Sequence, residues 1–580
     1  MDTTDRTPTP SASRSASSDR EAAGAPPQPA TKNKRLVGPR AFKLFWDAHS
    51  VTGIVIGLAL FVIFFAGAFA LYRGELHAWA DPGLRASETQ LSADAITKPL
   101  FDDAPPAPGS DVQVTYPLRD RTYFFVRYDT PAGDTTRAVQ AYVNASTGET
   151  FEPTVENHVG RSALSEMLYD LHFFGQAGIW GEIVSGLVAV FFLFAVVSGI
   201  LIHLRKLPTD WHTFRPRSTL RTALADAHNV LGLVGLPFAA MYAITGAFLS
   251  LLVILLAPTV FVVFDGDRGA IDDTLAGFEM PAHEATGESA PMQPFSSYAE
   301  AVPASWEEHG IETATIIVHA WGDEAGVAVV YGETDEALTA APRAALDAST
   351  GEILAASDVP TASALGGTAA VMTNLHYARL GSPLAKILFF FLALTTSAVI
   401  LTGNVLWVLV RRPKDPQATA WLHRVMARLT VGGGCGLVAA VPLLFLTTAA
   451  LPLDLPSLQW WEHVALFGGW AVLTAAAFAG PSPVWAARWQ LALAGGLSLL
   501  VPIASGLNGA WPWTSAANGW WGILTIDVGF LLMGGALWWT AMRLQPAALQ
   551  PAALDPTALD PADNEADEVG DVTAASSVAN

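Results

Sequence analysis

The sequence predicts an α-helical polytopic membrane protein of about eight transmembrane helices that carries two small α+β domains, and three observations support this. Of 580 residues, 51% are hydrophobic and only 15% charged, whereas about a quarter of a soluble protein is charged. The apolar residues fall in runs long enough to cross roughly 30 Å of hydrocarbon, which takes about 20 residues at 1.5 Å each. The formal net charge is −21, yet those runs are nearly free of charge, so acidic and apolar residues are segregated along the chain. This balance argues against nucleic-acid binding. The single cysteine, Cys435, excludes a disulfide framework, a CxxCH haem attachment, a thiolate zinc site and an iron–sulfur cluster.

The runs lie near 51–72, 180–204, 229–257 and 386–410, then at shorter spacing near 431–451, 462–480, 484–506 and 519–542. The first is too long for a signal-peptide core and follows a polar stretch, so it reads as a retained helix. Lys32, Lys34, Arg35, Arg40 and Lys43 precede span 1. Arg205, Lys206, Arg215, Arg217 and Arg221 separate spans 2 and 3, and Arg411, Arg412, Arg424 and Arg428 separate spans 4 and 5. The positive-inside rule makes their common side the cytoplasm, with both termini there. Connections 73–178 and 258–385 then lie on the periplasmic side. Asp265 to Ala385 holds 19 acidic residues against three Arg and no Lys. Residues 1–40, basic and rich in Ser and Pro, and the acidic tail 544–580 read as disordered cytoplasmic extensions.

The chain repeats itself. Asp47-Ala48-His49, followed by Gly67-Ala68-Phe69, recurs as Asp226-Ala227-His228, followed by Gly246-Ala247-Phe248. Asn144-Ala145-Ser146-Thr147-Gly148-Glu149 recurs as Asp347-Ala348-Ser349-Thr350-Gly351-Glu352, Leu171-His172 as Leu375-His376, and Gly199 as Gly403. The unit of helix, outer domain and helix therefore occurs twice, as 41–204 and 228–412, joined by a cytoplasmic loop 205–227 and followed by a C-terminal four-helix membrane region, 413–543. Each unit has two spans, so the copies enter in the same direction about a pseudo-two-fold axis along the membrane normal. In the first outer domain, Tyr123–Tyr128 and Val139–Val143 read as strands before a turn in which Gly148 takes positive φ. Thr315–Val318 and Gly326–Tyr331 are expected to fill the same roles before Gly351.

These residues resemble the PepSY-associated transmembrane family of iron-regulated inner-membrane proteins, which includes ferrisiderophore reductases. The likeness rests on the His before span 1, Ala66-Gly67 and Thr245-Gly246, the duplicated Ala-Ser-Thr-Gly-Glu turn, the Leu-His before spans 2 and 4, and Trp421-Leu422-His423-Arg424. It implies PepSY-like periplasmic domains in a bacterial inner-membrane protein, helix histidines that bind two b-type haems, and electrons carried outward.

A bis-histidine haem needs two neutral imidazoles at one depth on different helices. By repeat symmetry His49 pairs with His228 near the cytoplasmic face, and His172 with His376 near the outer face. The alternative is that each is an interfacial histidine hydrated at the headgroups, but recurrence at membrane depth favours function. His203, His423, His77 and His463 are alternates. His158, His212, His283, His309 and His319 read as surface or scaffold residues. Trp460, Trp461, Trp511, Trp513, Trp520 and Trp521 read as an interfacial belt or as a platform for a large chelate. Gly432-Gly433-Gly434 suggests close helix packing, and Asp527 is an intramembrane acid without an evident partner.

The expected function is an oxidoreductase-type electron-transfer protein that reduces a ferric siderophore at the periplasmic face for iron acquisition. No flavin or NAD(P) fingerprint is found, so a membrane quinol or a separate reductase is the expected donor. The rival readings are a membrane-anchored PepSY protein that binds peptides or regulates a protease, and a siderophore or metal permease.

Overall fold

The structure is a computed structural model that describes residues 38–544, apart from 87–89, 119–120, 152–160, 205–212, 216–217, 264, 267–272, 274–278, 335–337, 340–341, 358–363, 381 and 411–419. The two extensions expected to be disordered lie almost wholly outside the described residues, as do His158 and His212.

Among the described residues, seven helices are long and apolar enough to cross a membrane, and a bent pair makes up to eight. Span 1 is Pro39–Ala70, with proline at its first position, where no amide hydrogen is needed. Span 2 is Ile179–His203 and span 4 is Pro383–Val410. The single helix expected at 229–257 is instead Leu220–Val234 followed by Leu236–Val263, bent by 68°. Gly235 and Pro237 cause the break: proline has no N–H to continue the ladder and disfavours helical backbone in the residue before it. Spans 1, 2, 3 and 4 pack as a closed ring, with span 1 touching 2 and 4, and the two halves of span 3 touching 4 and 2.

The last four spans form a second bundle. Two of them contain π-helical segments, Thr430–Cys435 and Val464–Gly468. The first is the triple-glycine stretch. Trp470 Nε1 donates to the Gly433 carbonyl (2.9 Å) and Thr474 Oγ1 to the Gly432 carbonyl (3.0 Å), so these carbonyls are satisfied by a neighbouring helix. Close packing explains the glycine, since a Cβ on Gly432 would lie 2.8 Å from the Thr474 Cα. Asp527 also has a partner, for Trp79 Nε1 donates to its Oδ1 at 3.1 Å. Phe69, Phe390, Phe445 and Phe530, from spans 1, 4, 5 and 8, join the bundles, with centroids 4.7–5.8 Å apart.

The two long connections build one antiparallel sheet, where two separate domains were expected. β1 (Val112–Thr115), β2 (Tyr123–Ala132), β3 (Thr135–Asn144) and β4 (Thr150–Phe151) come from the first. β5 (Glu312–His319), β6 (Val327–Glu333), β7 (Arg343–Asp347) and β8 (Ile353–Ala356) come from the second. The order is β4-β3-β2-β1-β5-β6-β7-β8. β1 and β5 would each be an open edge, and pairing them satisfies both ladders. Val112 faces Val318 and Val114 faces Ile316, all four fully buried. The strand roles also shift by one. Thr315–Val318 and Gly326–Tyr331 fall on β5 and β6, the positional counterparts of β1 and β2. The strand entering the second Ser-Thr-Gly turn is β7, whose Arg-Ala-Ala-Leu-Asp sequence carries little strand propensity. Both turns form as expected, with Gly148 and Gly351 at φ +73° and +77°. Asn144 Oδ1 and Asp347 Oδ1 each accept two backbone N–H bonds inside the turn.

Candidate functional site

Four histidines meet in two pairs inside the first bundle. His49 lies on span 1 and His228 on the first half of span 3, at the end of the bundle away from the sheet. Their ring centroids are 6.3 Å apart and their planes cross at 74°. His172 and His376 lie on neither span. They sit in the last turn of the short helices Leu164–Phe173 and Ala364–His376, which run into spans 2 and 4 at the sheet end. Two residues beyond each histidine the chain turns through a left-handed residue, Phe174 (φ 61°) and Ala378 (φ 54°). These conformations are uncommon outside glycine, and they place corresponding histidines in corresponding poses. His172 Nε2 and His376 Nε2 are 3.5 Å apart.

The Nδ1 atom of each ring is held by an acceptor. His49 Nδ1 donates to the Ala195 carbonyl (2.9 Å), His228 Nδ1 to that of Val399 (2.9 Å) and His172 Nδ1 to that of Ile63 (2.8 Å). A carbonyl only accepts, so the proton is on Nδ1 and the Nε2 lone pair is free for a metal. His376 Nδ1 lies 3.0 Å from Thr245 Oγ1, whose own proton goes to the Met241 carbonyl, so the same tautomer follows. Burial pulls the His376 imidazole down to about 3, with His172 acting in the same direction. Burial also lowers His172, against the effect of its Ile63 bond. Both are neutral at physiological pH, the form in which imidazole binds metal.

Each ring is seated on a glycine of a facing helix. A Cβ would lie 2.5 Å from His172 Nδ1 if added to Gly67, 2.9 Å from His228 Cε1 if added to Gly403, and 3.3 Å from His49 Cε1 if added to Gly199. At Gly246 the distance to His376 Cε1 is an ordinary 3.6 Å. In three cases the glycine stands one turn after the carbonyl that holds the ring: Ala195 before Gly199, Val399 before Gly403, Ile63 before Gly67. Two imidazoles on opposite sides of one metal ion have centroids about 6 Å apart, from bonds of about 2.0 Å plus the ring radii. The His49–His228 spacing meets that requirement. The other pair would widen by about half an ångström. The cavity around His49 and His228 has a volume of about 390 Å³ and is mostly apolar, and that around His172 and His376 about 260 Å³. Among the described residues no cluster of three or more His, Cys, Asp or Glu could hold a metal ion by itself. Two imidazole donors are too few to hold a metal ion by themselves, so each pair fits a metal that arrives with further ligands of its own.

The alternates separate. His203 lines the His49–His228 cavity. His423 Nε2 donates to the Val408 carbonyl (2.7 Å) and its ring stacks on Trp407, while His463 Nδ1 donates to Gln459 of its own helix (2.7 Å), so neither joins a pair. His77 is buried and bonds Glu166 Oε1 at 3.0 Å. Burial would raise the Glu166 carboxyl, but His77 and Arg73 outweigh it and bring it down to about 2. Glu166, Tyr169, Tyr242 and Tyr377 were not singled out by sequence reasoning, which marked Thr245 only as the neighbour of Gly246. Only Tyr377, adjacent to the duplicated histidine, carried a local signal.

Fold and site together define a helical membrane protein with two glycine-seated imidazole pairs in a four-span bundle, joined to a β-sheet domain. The sequence profile of the PepSY-associated TM region matches residues 46–409, and the chain belongs to that family. It is also 28% identical, over 351 residues, to an uncharacterised protein of Pseudomonas aeruginosa, covering 58% of this chain and 86% of the relative.

Proposed function

We propose that the protein carries electrons across the bacterial inner membrane and reduces a ferric siderophore at the periplasmic face, the side of the β-sheet. Both termini would be cytoplasmic, and the repeated unit would be an internal duplication with two PepSY-like halves. The observation that carries this reading is the pairing of four imidazoles, each held through Nδ1 and facing a glycine of another helix, at two depths of one bundle. His49 with His228, and His172 with His376, would hold two haem b groups. Haem at each pair would supply a one-electron carrier near each face.

The protein's own part is to hold the rings and keep them dry. The Nδ1 bonds fix the tautomer and orientation and raise the basicity of Nε2. The lining of the inner cavity is mostly apolar, which disfavours water beside the rings. Arg40, Lys43 and Arg221 lie at the end away from the sheet, consistent with a cytoplasmic face there. A quinol or a separate reductase would donate at that end. Iron reduced to Fe(II) is held less well by hard oxygen donors, so the chelate would release it.

The test is catalytic. The full chain, prepared with haem and placed in vesicles with a reduced quinol, should release Fe(II) from a ferric chelate, detected by an Fe(II)-specific dye. Release no faster than from empty vesicles with the same quinol would refute the reading.

A further inference from the structure

The C-terminal four-helix region lies beyond the part of the chain that the family profile matches, which ends at residue 409. The proposed electron path uses none of its residues, but one contact ties the region to that path. Glu462 stands near the outer end of span 6, Leu458–Ala479, and is fully buried. Its Oε1 accepts from Ser162 Oγ (2.6 Å) and from Thr448 Oγ1 of span 5 (2.7 Å), and its Oε2 accepts from the Ala163 backbone N–H (2.7 Å). Both oxygens are therefore satisfied, as burial at membrane depth requires.

Ser162 and Ala163 lead into the helix Leu164–Phe173, whose last turn carries His172. Ala163 is the N-cap, where Ser, Thr, Asp or Asn usually supplies an acceptor, and its methyl side chain supplies none. Ser162 Oγ accepts from the Leu164 N–H (3.2 Å), and Glu462 takes the bonds of Ser162 and Ala163. The cap is thus completed from the other bundle, by a residue 300 positions away from Ser162. A carboxyl at this end also complements the helix dipole. The second copy is built differently. With Leu171-His172 set on Leu375-His376, the counterpart of Ser162 is Gly366, which has no hydroxyl and lies within the helix Ala364–His376.

The helix is therefore fixed at both ends. Ten residues at 1.5 Å each span about 15 Å, from the Glu462 bonds to the slot in which His172 Nδ1 lies 2.5 Å from the position of a Gly67 Cβ. A slot this tight gives the ring no room to slide. A shift of the helix along its axis must then move or tilt the imidazole against His376, and small displacements of a metal ligand are felt at the metal.

We infer that Glu462 is a positioning residue for the outer pair: it caps the helix Leu164–Phe173 from the C-terminal bundle, sets His172 opposite His376, and so tunes the outer haem. The inference rests on the electron-transfer reading for the haem and on the three hydrogen bonds for the positioning.

The experiment uses the haem-supplied full chain in detergent and reads two signals. The first is electron paramagnetic resonance of the low-spin ferric haems, which depends on the angle between the axial imidazole planes. Those planes cross at 41° in the outer pair and 74° in the inner pair, which tells the two haems apart. The second is amide exchange of residues 164–173, which reports on the cap with or without haem. Glu462→Ala should raise that exchange and shift the outer signal, lowering the affinity of the outer site for haem by about tenfold, while the inner signal stays as in the parent. Ser162→Ala should act in the same direction and carries the test if Glu462→Ala fails to fold. Thr448→Ala removes a bond on the C-terminal side alone and should leave the outer signal in place. With haem present, the inference is overturned by an unaltered outer signal, by equal loss of both signals, or by an equal effect of Thr448→Ala. If the parent carries no haem, the electron-transfer reading falls, and unchanged exchange of 164–173 in the variants overturns the positioning role.

Discussion

His172 and Gly67 are in direct contact, the imidazole Nδ1 lying where a side chain at position 67 would place its Cβ, 2.5 Å away. The same Nδ1 bonds the Ile63 carbonyl one turn earlier. The first span therefore offers the ring both a slot and an acceptor, and loses the slot if the glycine gains a methyl group. Across the four histidines the slots differ in tightness, which gives a graded expectation. Gly67→Ala should be the most disruptive, Gly403→Ala next and Gly199→Ala milder, while Gly246→Ala should be nearly silent, since 3.6 Å is ordinary contact. Haem content of each variant, measured by pyridine haemochrome, checks the order. A silent Gly67→Ala beside a disruptive Gly246→Ala would contradict it.

The Arg73–Glu166–His77 cluster predicts a specific acid sensitivity. The Glu166 carboxyl is held at about 2 in the folded protein, against an ordinary value of 4.5. A carboxylate whose folded value is depressed contributes stability that is complete above its unfolded value and is lost as pH falls toward its folded value. The contribution, on the order of 3 kcal/mol, should be complete above about pH 4.5 and fade toward pH 2. Glu166→Gln should lower Tm at pH 7 and flatten the dependence of Tm on pH below 4.5. Melting curves of both proteins in the same detergent would show this, and parallel curves would refute it.

The sheet predicts cooperation between the two long connections. Ile316 is fully buried on β5, opposite Val114 of β1. Ile316→Pro removes a donor from an interior strand and cannot be accommodated there. It should cost about 3 kcal/mol and expose both halves of the sheet. Hydrogen exchange should rise in β2 and β3 as well as in β5 and β6. Unchanged protection of β2 and β3 would mean that the halves fold independently.

The helices were legible because charge-free runs of sufficient length have few other fates, and span boundaries agree to within a few residues outside spans 1, 3 and 5. The 68° bend in span 3 was missed because Gly235 and Pro237 lie inside an otherwise continuous apolar run. The four histidines were legible only because the chain repeats: a lone His49 would have looked like an interfacial residue. Gly67, Gly199, Gly246 and Gly403 were visible as markers of the repeat, but their contact with the rings depends on helices distant in sequence. Phe174 and Ala378 gave no sign of left-handed backbone, since neither residue type prefers it. Pairing of β1 with β5 joins segments about 200 residues apart and had no local signature. The contact between the Tyr169 and Tyr377 hydroxyls was likewise hidden, because they approach only once the short helices are docked.

The central claim is that two imidazole pairs each hold one haem, and a reduced-minus-oxidised absorption spectrum of the purified chain, expressed with haem available, tests it most directly. The account predicts b-type Soret and α bands at two haems per chain. His172→Ala and His376→Ala should each remove the same half of that signal, and His49→Ala and His228→Ala the other half. No b-type bands in the parent protein, or loss of different haems from His172→Ala and His376→Ala, would contradict it.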